Sequence, residues 1–231
     1  MTIKGLVFDK DGTLFHYAAT WGMWCRNVLL DLTKGDLEKA RKMGFDVGYR
    51  WDADSFVTGA PIVNGAADEV NAIWAAELPE LAMDEIEAVC VKHLETTPAA
   101  PVCDFDALFG VLKAKGFRLG VATNDFEAGA VSQLEAHKAK QYFDFICGYD
   151  SGYGAKPGPG MILGFCEETG LLPSEVAMVG DSTHDLLAGE AANVGLKIGV
   201  LTGPASARDI EAAADVVLED ISKIPAYLDQ R

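Results

Sequence analysis

Basic residues are scarce in this chain. Its 231 residues include 19 Lys and Arg against 35 Asp and Glu, a net charge of −16. So acidic a surface repels nucleic acid and anionic lipid, and neither is expected as a partner. Long uncharged runs are missing too. Ser55–Ala67 lacks Asp, Glu, Lys and Arg, but it is too short to span a bilayer and contains Gly, Pro and Asn. The apolar run Leu6–Phe8 ends at Asp9, which leaves no signal-peptide core. The five cysteines (Cys25, Cys90, Cys103, Cys147, Cys166) are odd in number and widely spaced, with no C-x-x-C pair. That pattern argues against a disulfide framework or zinc site and for reduced thiols in the cytoplasm.

What is present is core material. Apolar residues make up 49% of the chain, and the length suits a main domain with a smaller one beside it. Ile3–Phe8 reads as a buried strand that stops at Asp9-Lys10-Asp11-Gly12, where Gly12 permits a sharp turn. Helical spacing follows in Trp21, Trp24, Cys25, Val28, Leu29 and Leu32, ending near Gly35. Three more helical patterns come next: Leu37, Ala40, Arg41 and Phe45; then Ala66, Val70, Ile73, Trp74 and Leu78; then Ile86, Val89, Cys90 and Leu94. Pro98 and Pro101 punctuate the chain as a linker would.

Beyond them strands and helices alternate. Phe117–Thr123, Phe143–Gly148, Val176–Val179 and Ile198–Leu201 read as strands, with helices at Ala128–His137, Met161–Glu168 and Asp185–Asn193. Repeated βα units predict an α/β fold: a Rossmann-like parallel sheet with helices on both faces. The first strand has no partner among the helices that follow it, so it belongs in the same sheet. The expected division is a core of residues 1–14 and 100–231, with 15–99 inserted as a helical domain.

Ligands of open parallel sheets collect at the carboxyl ends of the strands. There the sequence places Asp9, Asp11, Thr123, Asn124, Lys156, Asp181 and Asp185. Asp9, Asp11, Asp181 and Asp185 would repel one another without a cation, and an all-oxygen site suits Mg²⁺. Lys156 and the Thr123 hydroxyl can hold phosphoryl oxygens, aided by backbone N–H groups near Gly12 and Asn124. One carboxylate could then attack phosphorus, while a second protonates the leaving alcohol and later activates water.

Asp9-Lys10-Asp11-Gly12-Thr13-Leu14, then Thr123, then Lys156-Pro157, then Gly180-Asp181 with Asp185, resembles the four ordered motifs of the haloacid dehalogenase superfamily. The plan is similar to its phosphoglycolate-phosphatase-like members, with a small helical cap. The resemblance implies a Mg²⁺-dependent phosphatase acting on a small phosphorylated metabolite. It gives Asp9 as nucleophile and metal ligand, and Asp11 as acid/base that ligates through its carbonyl. It further implies Thr123 and Lys156 as phosphoryl binders, Asp181 as metal ligand and Asp185 as its support through water or from behind. Lys10 receives no role. A sugar-phosphate type of phosphomutase shares this core and stays open, as does an inactive binding protein of the same fold. A dehalogenase has no use for Asp11, and a phosphonatase needs an amine that His16–Thr33 lacks.

Several residues are better read as ordinary structure. His184 is expected to be a loop residue. Trp21, Trp24 and Trp74 lie on apolar stripes and are expected to pack in a core. Arg26, Arg41 and Arg50 fit either a grip on an anionic leaving group or a solvated helix surface.

Overall fold

The computed structural model describes residues 2–64 and 67–230. The chain divides into two compact units, Met1–His16 with Pro101–Arg231, and Tyr17–Ala100. Eight strands occur among the described residues: β1 (Gly5–Phe8), β2 (Tyr49–Arg50), β3 (Ser55–Phe56), β4 (Arg118–Ala122), β5 (Phe145–Cys147), β6 (Val176–Gly180), β7 (Leu196–Val200) and β8 (Val216–Leu218).

Six of them form one sheet in the order β5-β4-β1-β6-β7-β8, every neighbouring pair parallel. β1 lies in its interior, pairing Gly5 with Arg118 and Val176, and Phe8 with Val121 and Val179. Leu6, Val7 and Phe8 are fully buried, as a strand covered on both faces requires. The register puts the residues just after β1, β4 and β6 level at one edge of the sheet. The chain order reverses at β1, so a crevice is expected at that edge.

Helices cover the sheet. Asp104 caps Phe105–Ala114 by accepting the Ala107 N–H at 3.0 Å, and Phe109 of that helix is fully buried in an aromatic cluster. Its ring lies 5.7 Å from Phe8, 5.2 Å from Phe105 and 4.9 Å from Phe143. The strand pattern anticipated five of the six sheet strands. It missed β8, a three-residue, half-buried edge strand, and the helix Phe105–Ala114. The expected strand at Phe143 begins at Phe145, because a short 3₁₀ turn, Lys140–Tyr142, precedes it.

The second unit is helical: Tyr17–Leu32, Leu37–Val47, Pro61–Asn64, Ala67–Glu77 and Met83–Thr96, with the hairpin β2–β3. Val28, Leu29, Met43, Tyr49, Trp74, Leu78 and Ile86 make its core, and Trp24 packs against them. Trp21 stacks edge-on to Trp24 at 5.5 Å. Ala66, the first residue of one expected helical stripe, lies outside the described residues. Each of the three arginines is engaged within this unit. Arg26 donates to the Tyr49 hydroxyl and to the Trp51 carbonyl, Arg41 pairs with Asp52 at 2.7 Å, and Arg50 lies over the Phe45 ring at 4.1 Å.

The five cysteines are free. Burial pushes the Cys90 and Cys147 thiols up to about 12, so neither is a nucleophile at neutral pH. Among the described residues no helix is long and apolar enough to cross a membrane. Phe109→Ala should destabilise the sheet unit by about 3–5 kcal/mol, read from the midpoint of a urea titration.

Candidate active site

β1 ends where the Asp9 N–H donates to the Val179 carbonyl at 2.9 Å. The chain then turns tightly: the Lys10 carbonyl accepts from Leu14 at 2.9 Å and Phe15 at 3.0 Å, and the Gly12 N–H donates to Phe15 at 2.7 Å. Gly12 has φ +91°, a conformation that side chains resist, and a Cβ there would run into the Asp181 carboxylate. The Gly12 N–H is spent on closing the turn.

Asp9, Asp181 and Asp185 converge from the ends of β1 and β6, with one oxygen of each within 4.8 Å of the others and all three buried. Lys156 is buried with them, its ammonium paired with Asp9 and, at 2.6 Å, with Asp185 Oδ1. Two of the three carboxylates, Asp181 and Asp185, are braced from behind. The Thr13 hydroxyl donates to Asp181 Oδ1 at 2.9 Å. Ser182 caps the helix Thr183–Ala191, and its hydroxyl donates to Asp185 Oδ2 at 2.6 Å, with its N–H at 3.1 Å. Asp185 thus stands with Asp9 and Asp181 in the carboxylate cluster, its two oxygens held by Lys156 and Ser182. Gly203 also packs on the cluster, since a Cβ there would collide with Asp181 Oδ2.

The remaining expected residues sit around this centre. The Thr123 hydroxyl accepts the Asp125 N–H at 3.1 Å and keeps its hydrogen to donate. The Asn124 side chain clasps the Lys156 backbone, donating to its carbonyl at 3.0 Å and accepting its N–H at 2.8 Å. Asn124 therefore aims Lys156 with its amide. The Lys156–Pro157 bond is cis. The Asp11 side chain stands apart from the three-carboxylate cluster, with its Oδ2 held at 2.7 Å by Lys10. His184 lies in the first turn of the helix Thr183–Ala191 and not in a loop.

The electrostatics follow from crowding. Burial pushes the Asp9 carboxyl up to about 7; Lys156 pulls it back, while Asp185 and Asp11 push it further. Asp181 is raised well above the carboxylate range by burial and then by Asp9 and Asp185. Burial would lower Lys156, but Asp185 and Asp9 outweigh it and hold the ammonium charged. Three buried carboxylates share one buried ammonium, a donor set of hard oxygens that fits a divalent cation.

Residues to which the sequence reading gives no role line the site: Lys10, Thr13, Asp125, Gln133, Ser182 and Gly203. Ser182 with Asp185 three residues on is a capping-box pattern and was legible in principle. Lys10 carried the signal of an ammonium set between two aspartates.

An interior parallel strand ending in a carboxylate, beside a lysine and two more carboxylates, places a charged centre at the ligand-binding edge of an α/β sheet. The chain belongs to the haloacid dehalogenase-like hydrolase family, whose model matches residues 3–193. It is similar to the phosphoglycolate phosphatase of Nitrosospira multiformis, at 30% identity across 83% of this chain and 81% of that one. The phosphoglycolate phosphatase of Aquifex aeolicus is 27% identical across 82% and 81%. Two solved structures share the fold. One is a candidate beta-phosphoglucomutase from Thermotoga maritima (TM-score 0.77, 19% identity, 99% of both chains). The other is a HAD family hydrolase from Deinococcus radiodurans with bound phosphate and sodium (TM-score 0.72, 19% identity, 99% and 96%).

Gly203→Ala tests the packing around Asp181. The added methyl must displace that carboxylate, and hydrolysis should fall on the order of 10²-fold while circular dichroism stays that of the parent.

Proposed function

We propose that this hydrolase is a Mg²⁺-dependent phosphatase of small phosphate monoesters, phosphoglycolate-like in size and charge, with Asp9 as nucleophile. The observation that carries the reading is the convergence of Asp9, Lys156, Asp181 and Asp185 at one edge of the sheet. The curated relatives from Nitrosospira and Aquifex support the substrate class by their names. The scattered cysteines support a reducing compartment, and we place the enzyme in the cytoplasm on that ground. The helical unit Tyr17–Ala100 is assigned the part of a cap that chooses among monoesters.

Asp9, Asp181 and the carbonyl of Asp11 would hold the Mg²⁺, with Asp185 at hand. The ion supplies positive charge to the phosphoryl oxygens. The chain's own groups do the rest. Lys156 and the Thr123 hydroxyl take the other phosphoryl oxygens, which requires the ammonium to exchange a carboxylate partner for substrate. Asp9 attacks phosphorus; the P–O bond to the leaving alcohol breaks as the P–O bond to Asp9 forms. Asp11 gives its proton to the leaving oxygen, then removes one from the water that hydrolyses the aspartyl-phosphate.

Asp9→Asn keeps the size of the side chain and removes the attacking charge. Turnover of phosphoglycolate should drop to background, and the beryllium fluoride adduct that forms on Asp9 of the parent should be absent. Substantial inorganic phosphate release by this variant would exclude the covalent route. Phosphate release by the parent also separates a phosphatase from a mutase.

The raised carboxyls bear on metal affinity. A ligating carboxylate must be free of its proton, and Asp9 is pushed up to about 7. Protons therefore compete with the ion as pH falls, and Mg²⁺ binding should weaken by up to about tenfold per pH unit below 7 for one displaced proton. Calorimetry from pH 8 to pH 6 reads the slope, and buffers of different ionisation enthalpy read the released proton. Affinity independent of pH over that range would contradict the assignment of Asp9 as a ligand.

A further inference from the structure

Lys10 sits between the two aspartates of the turn, yet its side chain is fully buried. Its ammonium meets Asp11 Oδ2 at 2.7 Å, Asp125 Oδ2 at 2.9 Å and Gln133 Oε1 at 2.8 Å. An ammonium has three N–H donors, so these three acceptors saturate it. Such a buried pair is weak evidence for net stability, because desolvation offsets much of the attraction, although removing the ammonium alone would leave Asp11 and Asp125 uncompensated. Orientation is the better account of the arrangement.

Two of the three acceptors belong to a fixed frame. Asp125 follows β4 and is pinned at several atoms. Its N–H donates to Thr123, its Oδ1 accepts the Phe126 N–H at 2.8 Å, and its carbonyl accepts the Tyr149 N–H at 3.1 Å. Gln133 stands on the helix Glu127–Ala136. The third acceptor, Asp11, is the only one of the three that follows β1. Without the ammonium, two carboxylates would face the same small volume and repel each other, and Asp11 would swing away from Asp125.

We infer that Lys10 is a positioning residue for Asp11, tying its carboxyl group to the frame of Asp125 and Gln133 so that it faces the leaving oxygen. This rests on the acid/base role proposed for Asp11 above. Lys10 touches no reacting atom; it acts by limiting where Asp11 can go, and a displacement of about 1 Å in such a group costs on the order of 10²-fold.

The test exploits leaving groups. An alkyl phosphate departs as a strongly basic alkoxide that needs a proton, whereas 4-nitrophenyl phosphate departs as a weakly basic phenolate that needs little help. The phosphorylation step is followed in single turnover for both substrates with the parent, Lys10→Met, Asp11→Asn and the double variant. Lys10→Met should slow transfer from the alkyl phosphate by about 10- to 10²-fold and from the nitrophenyl compound several times less. In the Asp11→Asn background the Lys10→Met change should cost phosphoryl transfer nothing further, because the carboxyl group it orients is gone. An undiminished loss in that background, or an equal loss on both substrates, overturns the positioning role and leaves the acid/base role of Asp11 standing. If Asp11→Asn alone leaves alkyl-phosphate transfer intact, the acid/base reading itself falls, and this inference with it. Should Lys10→Met fail to fold by circular dichroism and gel filtration, Gln133→Leu removes one acceptor and spares every charge. It should show the same preference for damage to the alkyl substrate, and parental rates on both substrates would overturn the proposal.

Discussion

Three carboxylates and one ammonium, all buried, meet at the end of the central strand. Counting Asp9, Asp181 and Asp185 against Lys156 leaves two negative charges uncompensated when all are ionised. Two like charges about 4 Å apart repel by about 4 kcal/mol at an effective dielectric near 20, so the group holds together only with protons or a dication. Much of the surrounding architecture serves to keep the three in place despite that repulsion. The parallel register levels the ends of β1 and β6, Thr13 and Ser182 donate from behind, and bare glycines at 12 and 203 leave room for Asp181. On the proposed reading, a cation held there would offset the repulsion that a net charge of −16 presents to an anionic substrate.

The turn after β1 divides two jobs between two lysines. Lys156, carried on a distant loop, sits between Asp9 and Asp185. Lys10, in the turn itself, sits between Asp11 and Asp125. Each bridges one carboxylate of the turn to one supplied by a later segment. Neighbouring aspartates are thereby drawn into different surroundings, Asp9 beside Lys156 with Asp181 and Asp185, and Asp11 beside Lys10 with Asp125. Two carboxylates with separate chemical tasks require such separate surroundings.

How much of this was legible depended on the distance over which a residue's partners lie. Buried parallel strands announce themselves as apolar runs, so Val176–Val179 and its neighbours, and the polar groups just past them, could be read locally. β8 was not, because three half-buried residues at an edge leave no run to detect. Lys10 was passed over because its neighbours in sequence explain one of its contacts, while Gln133 is 123 positions away. The role of Gly203 was equally hidden, since only the folded sheet brings it against Asp181. The bond from Ser182 to Asp185 is local and belongs to a capping-box pattern that the sequence carries.

The interior position of β1 also bears on how the molecule is made. A ribosome releases this strand well before β4 and β6, the two it must lie between. Until Val176 and its successors emerge, the apolar segment Leu6–Phe8 has no complete seat, and Asp9 has neither Asp181 nor Asp185 beside it. The helical segment, by contrast, has its own core and is finished before β4 begins. The nascent chain can thus carry a folded helical portion while its sheet waits on long-range closure, the slow class of folding event. No amino-terminal fragment ending before Asp181 can contain the centre, however well its helices fold.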